Sequence, residues 1–120
     1  MVKISLSVPQ EVSRVTETLQ ARGYEAYLVG GCVRDLLLER TPQDWDVTTN
    51  ANPEQIQGLF EHTFYENTFG TVGVVNDEVS EMLDELHVKL SQTEDDDSRE
   101  TLQKEITRLQ NIKTVEVTPY

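Results

Sequence analysis

The stretch LVGGCVRDLLLERTPQDWDVTT, residues 28–49, decides how the chain is read. An apolar run ends in Gly30-Gly31, CVRDLLLER follows as a short helical pattern, and DWDVTT alternates as a strand does. The frame is strand, glycine turn, helix, strand. On the last strand Asp44 and Asp46 stand two apart, so both carboxylates project from one face, about 7 Å apart at Cα. Trp45 and Val47 then point the other way, into a core.

Two neighbouring carboxylates repel unless a positive charge lies between them. Mg²⁺ does this well, because it takes a few carboxylates together with phosphate oxygens and water. Gly30 and Gly31, lacking side chains, let a phosphate approach the backbone at the start of the helix. Arg34, one turn in, adds a charge-assisted contact to phosphate oxygens. The Gly-Lys-Ser/Thr ending of a Walker A loop is absent. Taken singly, a Gly-Gly pair is usually a turn device and Asp-x-Asp a solvated strand edge. An Arg34-Asp35 pair alone would be a surface ion pair of little worth. In this order, on one frame, they describe the phosphate end and the metal end of one site.

Working outward, Val2, Ile4 and Leu6 alternate as a short strand. SVPQEVSRVTETLQARG predicts a helix with an apolar stripe of Val12, Val15 and Leu19. Ser7 with Gln10 resembles a capping box, Pro9 suits the first turn, and Gly23 suits the stop. EAYLVG is a strand. NANPEQIQGLFEH starts a helix with Asn52 as N-cap and Pro53 first, turning Ile56, Leu59 and Phe60 inward. TFGTVGVV and the closing KTVEVTPY are strands.

Between those last two strands the chain changes character. EVSEMLDELHVKLSQ places Val79, Met82, Leu83, Leu86 and Leu90 on one helical face, and SRETLQKEITRLQNI does the same with Leu102, Ile106, Leu109 and Ile112. TEDDD supplies the turn, with Asp97 and Glu100 as the new helix start. This predicts an antiparallel helical hairpin, residues 76–112, carried on the tip of a β-hairpin. Each helix is short enough to need the other. The segment holds eleven acids against four bases, which is seven of the chain's twelve excess negative charges.

The chain has 120 residues, 37% hydrophobic and 27% charged, as one soluble globular domain, or one domain plus an appendage, would. No apolar run approaches the roughly 18 residues of a membrane span. The first residues lack the apolar block of a signal peptide. The lone cysteine, Cys32, forms no intramolecular disulfide and suits a reducing, cytoplasmic setting. A net charge of −12 argues against a surface that coats nucleic acid, although the part outside the hairpin is only mildly acidic.

With these residues in place, LVGGCVRDLLLERTPQDWDVTTNANPEQIQGLF resembles the head domain of the bacterial tRNA CCA-adding enzymes and their poly(A) polymerase relatives, within the polymerase-beta-type nucleotidyltransferases. Gly30-Gly31 and Asp44-Trp45-Asp46 match the first two superfamily motifs, and Val115-Glu116-Val117 can match the third. FGTVGVV resembles the strand after the family's second helix. The likeness runs through residues 1–75 and returns at 113–120, leaving 76–112 as an insert. It implies an α+β fold: a small mixed sheet with helices packed on one side, plus the projecting hairpin. It also implies transfer of CMP or AMP from CTP or ATP to the 3′ end of tRNA or another RNA, with Mg²⁺. Asp44 and Asp46 would hold the metal, and Gly30, Gly31 and Arg34 the triphosphate. Glu116 would be the third carboxylate, or else a solvent-facing strand residue. Asp35 would order the helix start.

Two departures from the family bear on function. The sequence ends at Tyr120, before the parts that in the family select the base and clamp the RNA; a C-terminally truncated head is expected to be a poor enzyme alone. The acidic hairpin stands where relatives have a short or flexible loop, and would be a lid, a docking arm, an oligomer contact or a spacer. The alternative reading is therefore an incomplete, split or engineered head that binds nucleotide or self-associates through residues 77–112. His62 and His87 have no ligand partners at metal spacing and read as surface residues. Met82 and Trp45 read as core. Tyr24, Tyr27, Phe64, Tyr65 and Phe69 could stack a base, but packing is expected for most, Tyr27 included.

Overall fold

The computed structural model describes residues 8–66 and 70–120. The strand expected over residues 2–6, the capping role of Ser7 and the stacking role of Phe69 lie outside the described residues. Along the chain come α1 (Gln10–Ala21), β1 (Ala26–Val29), α2 (Gly31–Leu37), β2 (Trp45–Thr49) and α3 (Pro53–Leu59). They are followed by β3 (Thr63–Glu66), β4 (Thr71–Val75), α4 (Asp77–Gln92), α5 (Asp96–Lys113) and β5 (Thr114–Pro119). The fold is α+β, as expected.

Helix α1 forms on the Val12, Val15, Leu19 stripe, all three buried. Pro9 is its N-cap rather than a first-turn residue and makes no side-chain cap bond. The helix ends as Gly23 expects: at φ 87° it lets the Tyr24 N–H reach the Leu19 carbonyl and its own N–H reach that of Gln20, a Schellman stop. Helix α3 is closed by a full capping box. The Asn52 side chain accepts from the Gln55 N–H, and the Gln55 side chain accepts from the Asn52 N–H.

The strands make one sheet in the order β1-β2-β5-β4-β3. Among the described residues only the central β2–β5 pair is parallel, and the other pairs are antiparallel. Trp45, Val47, Val72, Val74, Val115 and Val117 point to one face, where Val12, Val15 and Leu19 of α1 and Ile56 of α3 seal a continuous core. Removing a buried aliphatic side chain such as Ile56 costs about 2–5 kcal/mol. The short β3 was not expected: TFYE carries no apolar face for periodicity to detect, because all but one of its residues are exposed. Met82 and Tyr27 are likewise corrected. Met82 is 43% exposed on the outer side of α4, and Tyr27 is 56% exposed on the open face of the sheet.

Helices α4 and α5 fill the interval between the neighbouring strands β4 and β5, as an antiparallel hairpin should. Val79 and Leu83 meet Ile106, Leu109 and Ile112 in a seam continuous with the main core. The cap of α5 is Asp95, not Asp97; its carboxylate accepts from the Ser98 N–H and Oγ. At the tip, Arg99 Nη1 donates to the carbonyls of Leu90 (2.8 Å) and Thr93 (3.0 Å), closing the C-terminal end of α4. At the root, the Asn76 N–H donates to the Lys113 carbonyl, so the last strand pair passes directly into the two helices.

Candidate active site

The open face of the sheet is read from the register. Val29 pairs with Asp46, Asp46 with Glu116, Glu116 with Gly73, and Gly73 with Phe64, forming one row across all five strands. Alternation puts these side chains on the face away from the core. Asp44 precedes β2 and is exposed. The first carboxylate thus sits on an irregular backbone at the mouth of the strand, while the second is held within the ladder.

Beyond β1 the chain turns through Gly30 at φ 75°, a conformation that L side chains rarely adopt. A Cβ there would lie 3.4 Å from Asp46 Oδ2, so the turn runs close against the carboxylate. A Cβ on Gly31 would lie 3.4 Å from Arg34 Nη2, which places the guanidinium back over the turn. Arg34 and Asp35 form a loose ion pair, Nε to Oδ1 3.6 Å.

Gly31, Arg34, Asp44 and Asp46 line one cleft of about 450 Å³. Gly30 lies behind it, against Asp46, and Glu116 stands beside Asp46 outside the cleft lining. Arg40 also lines the cleft and was missed by the sequence reading. It arrives there because α2 stops in a second Schellman turn: Glu39 adopts φ 57°, the Glu39 N–H donates to the Leu36 carbonyl and the Arg40 N–H to that of Asp35. No glycine marks this turn, so no sequence signal announced it.

Burial, more than any other influence, lifts the Glu116 carboxyl above the usual carboxylate range, although the residue as a whole is exposed. Its hydrogen-bonding contact with Asp46 and the charges of Asp46, Glu66 and Asp44 push the same way. The crowding of acids is what a cation would relieve. Among the described residues no three His, Cys, Asp or Glu side chains close around a single point. The donor set is open, two or three carboxylates with room beside them. That fits Mg²⁺, which completes its shell from phosphate and water, better than a metal needing an all-protein cage.

A separate cleft of about 290 Å³ lies at the hairpin root, with Arg14, His62, Asp77 and Glu78 in its lining. Two ion pairs lie in it, His62 Nδ1 with Asp77 Oδ1 at 2.8 Å and Arg14 with Glu78 at 3.7 Å. Nothing in it joins the carboxylates. Among the described residues no helix is long and apolar enough to cross a membrane.

The family model for the poly A polymerase head domain matches residues 26–115. Poly(A) polymerase I of Haemophilus influenzae is 58% identical over 57 residues, covering 44% of this chain and 13% of that protein. The crystal structure of the Bacillus stearothermophilus CCA-adding enzyme in complex with CTP matches 56% of this chain and 17% of its own at 44% identity, with a TM-score of 0.52. A tRNA-processing enzyme in an apo form shares the fold over 97% of this chain and 24% of its own, at 17% identity and a TM-score of 0.51. The chain therefore spans less than a quarter of the length of any of the three.

Proposed function

The chain belongs to the poly(A) polymerase head-domain family, and from that membership we propose that it is the catalytic head of a template-independent RNA nucleotidyltransferase. It transfers CMP or AMP from CTP or ATP to the 3′ end of tRNA or another RNA, in the cytoplasm. The observation that carries this reading is the convergence of Asp44 and Asp46 with Gly31 and Arg34 on one cleft, with Glu116 in register beside Asp46. The likeness to a CCA-adding enzyme solved with CTP supports the choice of nucleotide.

In this mechanism Gly30 and Gly31 let the triphosphate lie against bare backbone, while Arg34 and Arg40 reach its non-bridging oxygens. Asp44 and Asp46 hold Mg²⁺, which when bound neutralises phosphate charge and favours ionisation of the attacking hydroxyl. The RNA 3′ oxygen forms a bond to the α-phosphorus, and the bond from that phosphorus to the bridging oxygen of the β-phosphate breaks in line, releasing pyrophosphate. Glu116, with its affinity for protons raised, accepts the hydroxyl proton. Residues 1–75 and 113–120 form the head in this reading, and residues 76–112 an insert outside the chemistry.

The test is incubation of the chain with Mg²⁺, labelled CTP or ATP, and tRNA lacking its terminal nucleotides. Incorporation that disappears in Asp46→Ala is expected; metal-dependent turnover unchanged in that variant rejects the reading. A second reading is a head that binds nucleotide or self-associates without transfer. Two large apolar side chains left exposed on α4, Met82 and Val88, favour it. Nucleotide binding without incorporation, or dimers lost on deleting residues 77–112, would select it.

A further inference from the structure

We propose that the ring of Phe64 is the stacking platform for the 3′-terminal base of the RNA that attacks, an assignment that rests on the nucleotidyltransferase reading above. Phe64 ends the row Asp46, Glu116, Gly73, Phe64 on the open face of the sheet. Its partner on β4 is a glycine, and the outer edge of the ring, Cζ with both Cε atoms, fills the space a Cβ on Gly73 would take. The ring therefore leans off its own strand across β4, toward Glu116. Nothing in the core requires this, because Phe64 remains 43% exposed.

Direction gives the ring its role. In-line displacement puts the attacking oxygen and the leaving pyrophosphate on opposite sides of the α-phosphorus. Gly31 and Arg34 gather the phosphates at the β1–β2 end of the row. The hydroxyl must then arrive from the β5 side, past Glu116. With strands about 4.8 Å apart, the Phe64 Cα stands about 10 Å from that of Glu116, and the leaning ring shortens the gap to the reach of one nucleoside. A terminal base whose 3′ oxygen lies at Glu116 falls against Phe64.

The chemistry suits a reaction without a template. Stacking uses the π-face that every base has and reads no hydrogen-bonding edge. It also suits this chain, whose net charge of −12 gives the RNA backbone little attraction. A purely structural role, covering Gly73, would be served as well by any apolar side chain.

The experiment uses the whole chain with Mg²⁺ and a short single-stranded RNA carrying 2-aminopurine either at its 3′ end or several nucleotides inside. Quenching of the terminal probe, and not of the internal one, is expected. Phe64→Leu, which keeps an apolar cover over Gly73, should abolish the quench and weaken RNA binding by about tenfold. Phe64→Trp should keep both, and binding of Mg²⁺ with CTP or ATP should be unchanged in either variant. No terminal quench in the parent chain, or an equal quench in a folded Phe64→Leu, overturns the proposal. Absent triphosphate binding beside a Phe64-dependent terminal quench would reject the transferase reading and leave the platform standing.

Discussion

Asp46 and Glu116 are register partners across the parallel pair of β2 and β5, though seventy residues separate them in the chain. Glu116→Gln removes one of two adjacent negative charges. For an acid whose folded-state pKa is raised, the folded form binds the extra proton, so stability falls as pH climbs from the ordinary glutamate value of 4.5 through the raised one. In metal-free buffer the variant should match the parent at acid pH and be the more stable above that window. Urea melts across this range read the difference, and equal curves at neutral pH would show that the two acids do not strain each other. The same substitution should reduce transfer at least a hundredfold, as loss of a general base does.

Mg²⁺ should stabilise the folded chain, because the unfolded chain has no reason to gather these carboxylates. At ten times its dissociation constant a single ion adds about 1.4 kcal/mol. The gain should appear as a rise in Tm on adding MgCl₂ and vanish in Asp46→Asn. A rise that persists in that variant would place the ion elsewhere, the acidic hairpin being the obvious competitor.

Glu39 holds a left-handed backbone where glycine is usual. A non-glycine residue there costs roughly 1 kcal/mol. Glu39→Gly should therefore raise stability by a fraction of that, since glycine also loosens the unfolded chain. Chemical denaturation measures it. A loss would mean that the Glu39 side chain contributes more than its backbone costs.

Tyr120 donates its hydroxyl to Glu25 Oε2 at 2.6 Å, and that hydrogen bond holds its pKa up to about 12. The proton is retained longer in the folded state, so stability should decline as pH rises from 10 toward 12. Absorbance at the tyrosinate band should show one of the four tyrosines ionising late, and Glu25→Gln should bring it forward.

Local pattern revealed much of this molecule. The stripes of α1, α4 and α5, the Asn52-Pro53 start and the alternation of β2 all follow from single windows of sequence. Where several neighbours offer the same chemistry, a window cannot choose: of three consecutive aspartates the cap is Asp95. Where a strand has no apolar face, as in β3, nothing marks it. Tyr27 misleads because β1 lies at the sheet edge with one face open, a fact of strand order and not of its own residues. The candidate site divides likewise. Asp44, Asp46, Gly30, Gly31 and Arg34 are close in sequence and were found together. Arg40 depends on an unannounced turn, while the pairing of Asp46 with Glu116, and the lean of Phe64 over Gly73, exist only once distant strands meet.

The helical hairpin also bears on how that meeting comes about. Val75 and Thr114 are register partners, yet a floppy loop of the same length would have to close by chance before β5 could add to the sheet. Two helices that zip together from their tip carry the strand ends to each other through near-neighbour contacts. The insert thus acts as a splint, trading one long search for a series of short ones. Shortening its seam, for instance by Leu109→Ala, should slow the arrival of Glu116 beside Asp46 more than it alters the sheet once formed.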